Sequence, residues 1–290
     1  MKCYRQQVMK PYLLLLPSIL VIGLLVGYGV LQSFMESLRS WETGSWTFQY
    51  YHELFTSPAF WDSFFHSLYI AAVSTFFSLL IGILLIRIIY KYFIRNKWKV
   101  LVWVPMLIPH LVAAYLVILF FSESGLFSSF LFQIGWIEEM SAFPISIQDR
   151  NGYGIILTYI WKEVPFVILM LLPVYYQLEP DTEAVIRTLG GGYWEVFKTA
   201  EWPRLFPVVV ETGIILFSFT IAAFEVPYVL GVTYPKMLPL LSHQWFFEND
   251  WGGRPLAYAL MSVTTLFIAA VAFIAFRLSQ KRRLHMTRGR

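Results

Sequence analysis

Six long apolar runs constrain this chain more than any other feature of its sequence. They lie at about residues 11–31, 64–86, 100–121, 153–176, 208–230 and 255–276. About 20 helical residues cross the roughly 30 Å hydrocarbon core of a bilayer, so each run is long enough to span a membrane. Hydrophobic residues make up 58% of the chain and charged ones only 14%, which is typical of an integral membrane protein. We expect an all-α fold with six transmembrane helices in a single domain, residues 1–290.

Lys and Arg are concentrated at alternate ends of these runs. The amino terminus, the second and fourth connections and the tail hold 17 of the 22, and the other connections hold four. Because cytoplasmic segments retain positive charge, both termini and the fourth connection are predicted to be cytoplasmic. The first run follows Lys2, Arg5 and Lys10 without a small-residue cleavage site, so we expect it to be a retained span rather than a signal peptide.

The fourth connection, residues 178–207, is polar and longer than a simple turn requires. Its first half predicts a short helix that begins at Asp181 or Thr182, either of which can cap a helix start. Glu183 and Arg187 lie four residues apart with the acid first, so we expect them to pair along one face. We call this segment the 178–207 loop.

A glycine hinge is predicted to follow that helix, at Gly190, Gly191 and Gly192. Glycine ends helices readily because it takes left-handed backbone angles without strain. The apolar spacing of residues 193–201 then predicts a second short helix, which Pro203 is expected to end. An ordered, capped insert of this kind indicates a functional loop rather than a passive connection.

This loop resembles that of a known family, the permease subunits of bacterial ABC importers that work with a binding protein. Such permeases carry a cytoplasmic loop with Glu-Ala-Ala, a glycine a few residues later and a proline near the loop's end. The residues that match are Glu183-Ala184-Val185, Gly190 and Pro203. Arg187-Thr188-Leu189-Gly190 together with Phe197 is similar to the branch that handles polyamines, ferric iron and thiamine.

One spacing departs from the family pattern. The family places its Glu six residues before the glycine, whereas Glu183 lies seven before Gly190 and Ala184 occupies the expected position. Either the helix carries an additional residue or the acid is absent.

The resemblance implies the type I, MetI-like permease fold and a role in translocation without catalytic residues. It implies two separate ATPase subunits that bind the loop and hold ATP and Mg²⁺, a second permease of similar but distinct sequence, and an extracellular binding protein. It also implies a bacterial cytoplasmic membrane. The expected contacts with the ATPase are Glu183, Ala184, Arg187, Gly190, Gly191, Gly192, Phe197 and Pro203. The chain itself has no P-loop motif, and no cofactor, metal or nucleic acid is expected on it.

Three ionisable residues inside the apolar runs are candidates for lining a substrate pathway. Lys162 and Glu163 are adjacent in the fourth run, where charges are costly unless they pair, reach the interface or face water. Glu225 lies beside Pro227 in the fifth run and is the third candidate. His110 has no second histidine spaced to share a metal, so we expect a hydrogen-bonded structural role for it.

Two other function classes remain as alternatives. An autonomous secondary transporter or channel would need intramembrane acids such as Glu163 and Glu225 to bind a coupling ion, often within repeated halves, and no repeat is visible. A membrane-embedded enzyme would have Glu163, Glu225 and His110 to work with, and these share no recognisable catalytic spacing. Neither alternative explains the 178–207 loop.

Overall fold

The computed structural model describes residues 14–93, 102–144, 147, 149–178, 180–231, 234–248 and 251–288. Within these ranges the regular structure is helical, apart from a single antiparallel bridge between Arg39 and Trp46. The helices are α1 (Leu14–Ser37), α2 (Gln49–Thr56), α3 (Pro58–Tyr92), α4 (Val104–Leu107), α5 (His110–Phe121), α6 (Leu126–Gln133), α7 (Tyr153–Tyr176), α8 (Pro180–Thr188), α9 (Tyr193–Ala222), α10 (Glu225–Leu230), α11 (Leu238–Phe247) and α12 (Gly253–Arg288). Cys3, the basic residues before residue 14, and Arg95, Lys97 and Lys99 lie outside the described residues.

Six stretches of these helices are long and apolar enough to cross a membrane, which is the predicted number, but the third and fifth are displaced from the predicted runs 100–121 and 208–230. They are Leu14–Ser37, Pro58–Tyr92, His110–Gln133, Tyr153–Tyr176, Tyr193–Ala222 and Gly253–Arg277. A lipid-exposed backbone must satisfy its own hydrogen bonds, which a helix does within one segment. The all-helical architecture therefore follows directly from the apolar runs.

Two of the apolar runs each contain a helix break that periodicity does not reveal. In the third run, Ile108 is extended and α5 begins only after Pro109. Proline lacks an N–H and disfavours helical angles in the residue before it, which accounts for this break. In the fifth run, α9 ends at Ala222 and a new helix begins at Glu225.

The prediction that Pro203 ends a second loop helix is wrong. That helix starts at Tyr193 and continues through a π-helical turn, Phe197–Glu201, into the segment Trp202–Ala222. The π turn changes the hydrogen-bond register directly before Pro203, so the missing N–H of the proline is accommodated within the helix. The second half of the 178–207 loop is thus an extension of the fifth span.

The chain divides into two compact units. The first contains the described residues up to Phe60 together with Leu241–Leu266. Aromatic contacts organise its polar segments: Trp41 stacks on Trp251 with ring centroids 5.6 Å apart, and the Arg254 guanidinium lies 3.6 Å from the Trp251 ring centroid.

The second unit contains Trp61–Leu240 and the described residues from Phe267 onward. Helix α7 forms its centre, because side chains such as Tyr159 and Leu171 are fully buried in two successive apolar clusters along this helix. Gly82 of α3 lies so close to Val167 of α7 that an added β-carbon would be 2.5 Å from a valine methyl group. The candidate functional residues all lie in this second unit.

Candidate functional site

The first helix of the 178–207 loop, α8, ends in a glycine-dependent cap. Gly190 has a φ of +85°, and the Gly191 N–H donates to the Ile186 carbonyl at 2.9 Å. This hydrogen bond closes a turn of six residues, Ile186 to Gly191, and a glycine with left-handed backbone angles at the helix end makes such a turn possible. A β-carbon on Gly190 would meet no atom within 4 Å, so the backbone angle rather than crowding requires glycine here. The predicted helix stop is confirmed.

The predicted pair of Glu183 and Arg187 is confirmed as well. Glu183 Oε1 accepts hydrogen bonds from Arg187 Nε at 2.8 Å and from Nη2 at 2.7 Å. Both side chains are exposed, and these bonds raise the pKa of Arg187. The neighbouring Ala184 is exposed on the same helix.

The start of α9 is fixed by a carboxylate that sequence reasoning did not single out. Glu195 Oε2 accepts the Gly192 N–H at 2.9 Å, while the Val196 N–H donates to the Gly192 carbonyl. An acid at the third helical position commonly reaches back to the helix start in this way. The glycine stretch is therefore bounded by a closed helix end on one side and a capped helix start on the other.

A partly buried ion pair beneath the loop was also missed. Arg87 Nε contacts Glu201 Oε2 at 2.9 Å, and the Tyr175 hydroxyl donates to the same oxygen at 2.9 Å. Arg87 further donates to the Tyr193 carbonyl at 3.0 Å and lies 4.7 Å from the ring centroid of Phe197. These contacts tie α3, α7 and α9 together where the loop begins. The one indication in the sequence is that Arg87 directly follows the second apolar run and Glu201 precedes the fifth.

A cleft of about 930 Å³ lies between the end of α3, the end of α7 and the loop helices. We call it the loop cleft, and the residues that line it include Leu84, Arg87, Ile88, Lys91, Tyr175, Glu183, Arg187, Tyr193 and Glu201. Of the other predicted loop residues, Phe197 stacks on Trp194 with centroids 5.5 Å apart. Pro203 lies in the first turn after the π turn.

In the fourth span, Lys162 donates hydrogen bonds to the backbone at the helix break of the third run. Its Nζ donates to the carbonyl oxygens of Pro105 at 2.6 Å and Ile108 at 2.5 Å. The Pro105 carbonyl would ordinarily bond the N–H four residues later, and that residue is Pro109, which has none. Lys162 is only 4% exposed. Its ammonium is engaged with these two carbonyls rather than with the Glu163 carboxylate.

Glu163 instead contacts His110, with its Oε1 3.2 Å from His110 Nε2. Both side chains line a smaller cavity of about 230 Å³, which we call the mid-span cavity and whose other walls are Met106, Lys162, Phe166, Ile215, Leu216 and Phe219. The expected hydrogen-bonded role of His110 agrees with this contact. The structure does not bring Glu225 into this cavity; its side chain is exposed in the first turn of α10.

Comparison with known protein families identifies the family to which the chain belongs. The family described as "Binding-protein-dependent transport system inner membrane component" matches residues 78–285. This range covers most of the chain, and it includes the 178–207 loop and the mid-span cavity. The chain belongs to this family.

Curated relatives agree with this assignment. The diacetylchitobiose uptake system permease protein DasB of Streptomyces coelicolor is 23% identical over 295 aligned positions, covering 96% of this chain and 89% of the relative. The molybdate/tungstate transport system permease protein WtpB of Thermococcus kodakarensis is 27% identical over 206 positions, covering 69% of this chain and 72% of the relative. Neither name includes a polyamine, iron or thiamine, so the substrate branch stays a prediction.

Solved structures share the fold. A bacterial ABC transporter involved in the import of the acidic polysaccharide alginate has a chain with a TM-score of 0.77 at 17% identity, covering 97% of this chain and 99% of that one. A second structure, the alginate transporter in complex with an alginate pentasaccharide-bound periplasmic protein, gives a TM-score of 0.73 at 18% identity, covering 97% of this chain and 96% of that one. The predicted fold of an ABC importer permease with six membrane helices is confirmed, and the chain is an ABC importer permease.

Proposed function

We propose that this permease works in a bacterial cytoplasmic membrane with a second, similar permease, two separate ATPase subunits and an extracellular binding protein. The observation that carries the proposal is the shape of the 178–207 loop. Its helices are closed by their own hydrogen bonds, yet Val185, Leu189 and Trp194 expose their apolar side chains. Apolar side chains presented on an ordered polar loop are typical of a protein-binding surface. The bound protein in this proposal is the ATPase.

The continuity of α9 gives the loop a mechanical role. The helix runs from Tyr193 to Ala222 without a break, so movement at its loop end is passed on to the fifth span. The contacts of Glu201 with Arg87 and Tyr175 extend that movement to the second and fourth spans. Closure of the ATPase subunits would thus tilt three spans together and alternate the access of the pathway.

One structural feature and one sequence feature support placing the loop in the cytoplasm. Arg87 and Lys91 lie at the end of α3 that also borders the loop. The charge distribution along the sequence assigns both the second connection and the 178–207 loop to the cytoplasmic side. Their proximity in the fold supports that shared assignment.

The mid-span cavity is our candidate for part of the substrate pathway. Glu163 and His110 supply polar groups there, while aromatic and aliphatic side chains form most of the wall. A cavity that combines apolar walls with few polar groups is typical of a small-molecule site. We assign Glu163 to the pathway, keep Glu225 as a second candidate, and assign Lys162 to stabilising the break before α5.

A test of the loop uses Gly190→Val, with Gly190→Asn as the matched control. Gly190 has a φ of +85° and open space around it, so the backbone angle decides which residues fit, and asparagine adopts left-handed angles more readily than valine. Left-handed angles cost an ordinary residue about 1–2 kcal/mol, which lowers the population of the docked loop about tenfold. We expect ATP-driven uptake in membrane vesicles to fall in Gly190→Val and to fall much less in Gly190→Asn. Ala184→Glu should reduce uptake as well.

Co-purification separates this function from the alternative transporter class. A permease of this kind is expected to retain ATPase subunits when extracted gently, and to take up no substrate alone. Uptake by the isolated chain in ATP-free vesicles with an ion gradient would overturn the proposal. So would normal ATP-driven uptake in both Gly190→Val and Ala184→Glu.

A further inference from the structure

We propose that the loop cleft binds an anionic phospholipid, with its phosphate between Lys91 and Arg187 and part of an acyl chain along α3. The proposal rests on the proposed function only in assigning the cleft to the cytoplasmic leaflet. The arguments are the charge of the cleft, the spacing of its cations and the order of polar and apolar groups along α3.

The charges in the loop cleft do not balance. Its two acids are each paired with an arginine: Glu201 with Arg87 at 2.9 Å and Glu183 with Arg187 at 2.7 Å. Among the residues that the structure describes, Lys91 has no carboxylate within ion-pairing distance. Its ammonium lies instead against aromatic rings, 3.8 Å from the ring centroid of Tyr193. The cleft therefore presents an unneutralised cation.

A second cation lies close to the first. The Arg187 guanidinium is 4.5 Å from the centroid of the same Tyr193 ring. Because both groups contact one ring, their separation cannot exceed the sum of these two distances. A phosphate that accepts one charge-assisted hydrogen bond of about 2.8 Å from each donor bridges donors about 8 Å apart. Arg187 gives Nε and Nη2 to Glu183 and keeps the N–H groups of Nη1, so a phosphate at the edge of the Tyr193 ring is within reach of both side chains.

The apolar wall of the cleft distinguishes a lipid from a free phosphate ion. Leu84 and Ile88 line the same cleft and are substantially exposed. Ile88 lies about one turn and Leu84 about two turns before Lys91 on α3, so the apolar surface extends about 10 Å along the helix from the cation. An apolar strip in the bilayer that ends in a cation at its surface matches the order of acyl chain and phosphate in a phospholipid. Basic pockets at the ends of spans bind such headgroups.

Binding of this kind would connect the spans to the loop. Lys91 belongs to the second span and Arg187 to α8, so a phosphate held by both links two elements that carry the movement proposed above. The lipid would restrain α8 on the glycine stretch beside the continuous helix α9. Loss of the lipid should therefore weaken the link between the loop and the spans without removing the Arg87–Glu201 pair.

The test is native mass spectrometry of the transporter purified from membranes with the subunits that accompany it. Phosphatidylglycerol and phosphatidylcholine with identical acyl chains are titrated into delipidated protein. We expect preferential retention of phosphatidylglycerol and an apparent affinity about fivefold weaker in Lys91→Gln, since one lysine near an anionic surface contributes about that factor. Lys91→Arg should retain binding. Lys198→Gln removes an exposed cation outside the cleft and should change nothing.

Three results would overturn the assignment. Equal retention of the two lipids, or equal loss in Lys91→Gln and Lys198→Gln, would show that no specific headgroup site exists. Displacement of phosphatidylglycerol by excess inorganic phosphate would show that the cleft takes the free ion. The same spectra report the ATPase independently: lipid retained without any ATPase subunit would count against the proposed function alone, and ATPase retained without selective lipid against the cleft alone.

Discussion

The surroundings of the mid-span cavity and the 178–207 loop both hold charged side chains in defined contacts, yet the stability of the two regions depends on these contacts differently. In the loop, Glu183 and Arg187 are exposed, so water replaces either partner if it is lost. In the spans, Lys162 is buried and donates to two backbone carbonyls at a helix break, where the interrupted helix supplies too few N–H donors of its own. The charged pair in the 178–207 loop therefore adds little to stability, whereas the charged side chain of Lys162 is required for the fold of the spans.

The Arg87–Glu201 pair lies between these extremes. Glu201 is buried and accepts from Tyr175, whereas about a third of the Arg87 side chain, 30%, remains exposed. If surroundings rather than charge decide the stabilising effect, removal of these groups should cost most at Lys162, less at Glu201 and least at Glu183. Each of the following substitutions tests one step of that order.

The largest effect is expected for Lys162→Met. Methionine has a similar length but no donor, so the Ile108 carbonyl loses its bond to Lys162 and the Pro105 carbonyl keeps only the 3.4 Å bond from the Ile108 N–H. An unsatisfied buried acceptor costs about 1–3 kcal/mol, and the second lost bond adds to this, so we expect a loss of about 2–4 kcal/mol in the free energy of unfolding. Unfolding by denaturant in bicelles measures it. Lys162→Arg retains donors and should lose less.

The outcome at Lys162 also separates its two possible roles. A stable Lys162→Met protein that fails to transport substrate would contradict the capping role and return Lys162 to the pathway. A destabilised protein with normal transport at low temperature would exclude Lys162 from the pathway. Glu163→Gln is the matched comparison, because it preserves the size of the pathway residue while removing its charge.

A smaller effect is expected for Glu201→Ala. Without the carboxylate, Arg87 and Tyr175 lose a shared acceptor. Breaking a buried pair costs about 3–5 kcal/mol, and the partial exposure of Arg87 reduces our expectation to about 1–3 kcal/mol. The double variant Glu201→Ala with Arg87→Met should be less destabilised than the two single variants added together. Strict additivity would show that the two side chains do not stabilise one another.

The difference between the regions also explains what could be predicted from the sequence. The spans were predictable because a bilayer demands about 20 apolar residues from each helix, whatever the packing. The pair of Glu183 and Arg187 was predictable because both residues lie on one short helix. Arg87 and Glu201, by contrast, come from helices distant in the sequence, and their contact depends on how α3 and α9 pack.

Local rules failed where backbone geometry departed from an ordinary α-helix. Pro203 was expected to end a helix, but the π turn before it allows α9 to continue. Lys162 was considered with its neighbour Glu163, yet adjacent helical residues point in different directions, and each side chain found a partner on another segment. The break in the third run follows from Pro109, but no local rule identifies Lys162 as the side chain that donates to the freed carbonyls.

The smallest effect on stability is expected for Glu183→Ala. Exposed pairs four residues apart on a helix contribute little, so the unfolding transition should not shift measurably. Any loss of ATP-driven uptake would then report a contact of Glu183 with the ATPase rather than a folding defect. Ala184→Glu supplies the comparison, because Ala184 occupies the position six residues before Gly190.

The double variant Glu183→Ala with Ala184→Glu moves the acid by one residue and tests which of the two positions the ATPase contacts. Uptake restored above that of Glu183→Ala alone would show that the family spacing governs docking, and that Glu183 serves the ATPase only imperfectly. Uptake lower than in either single variant would show that the partner has adapted to Glu183 in its present position. Equal uptake in all variants would remove both residues from the contact and leave the exposed apolar groups of the loop to bind the ATPase.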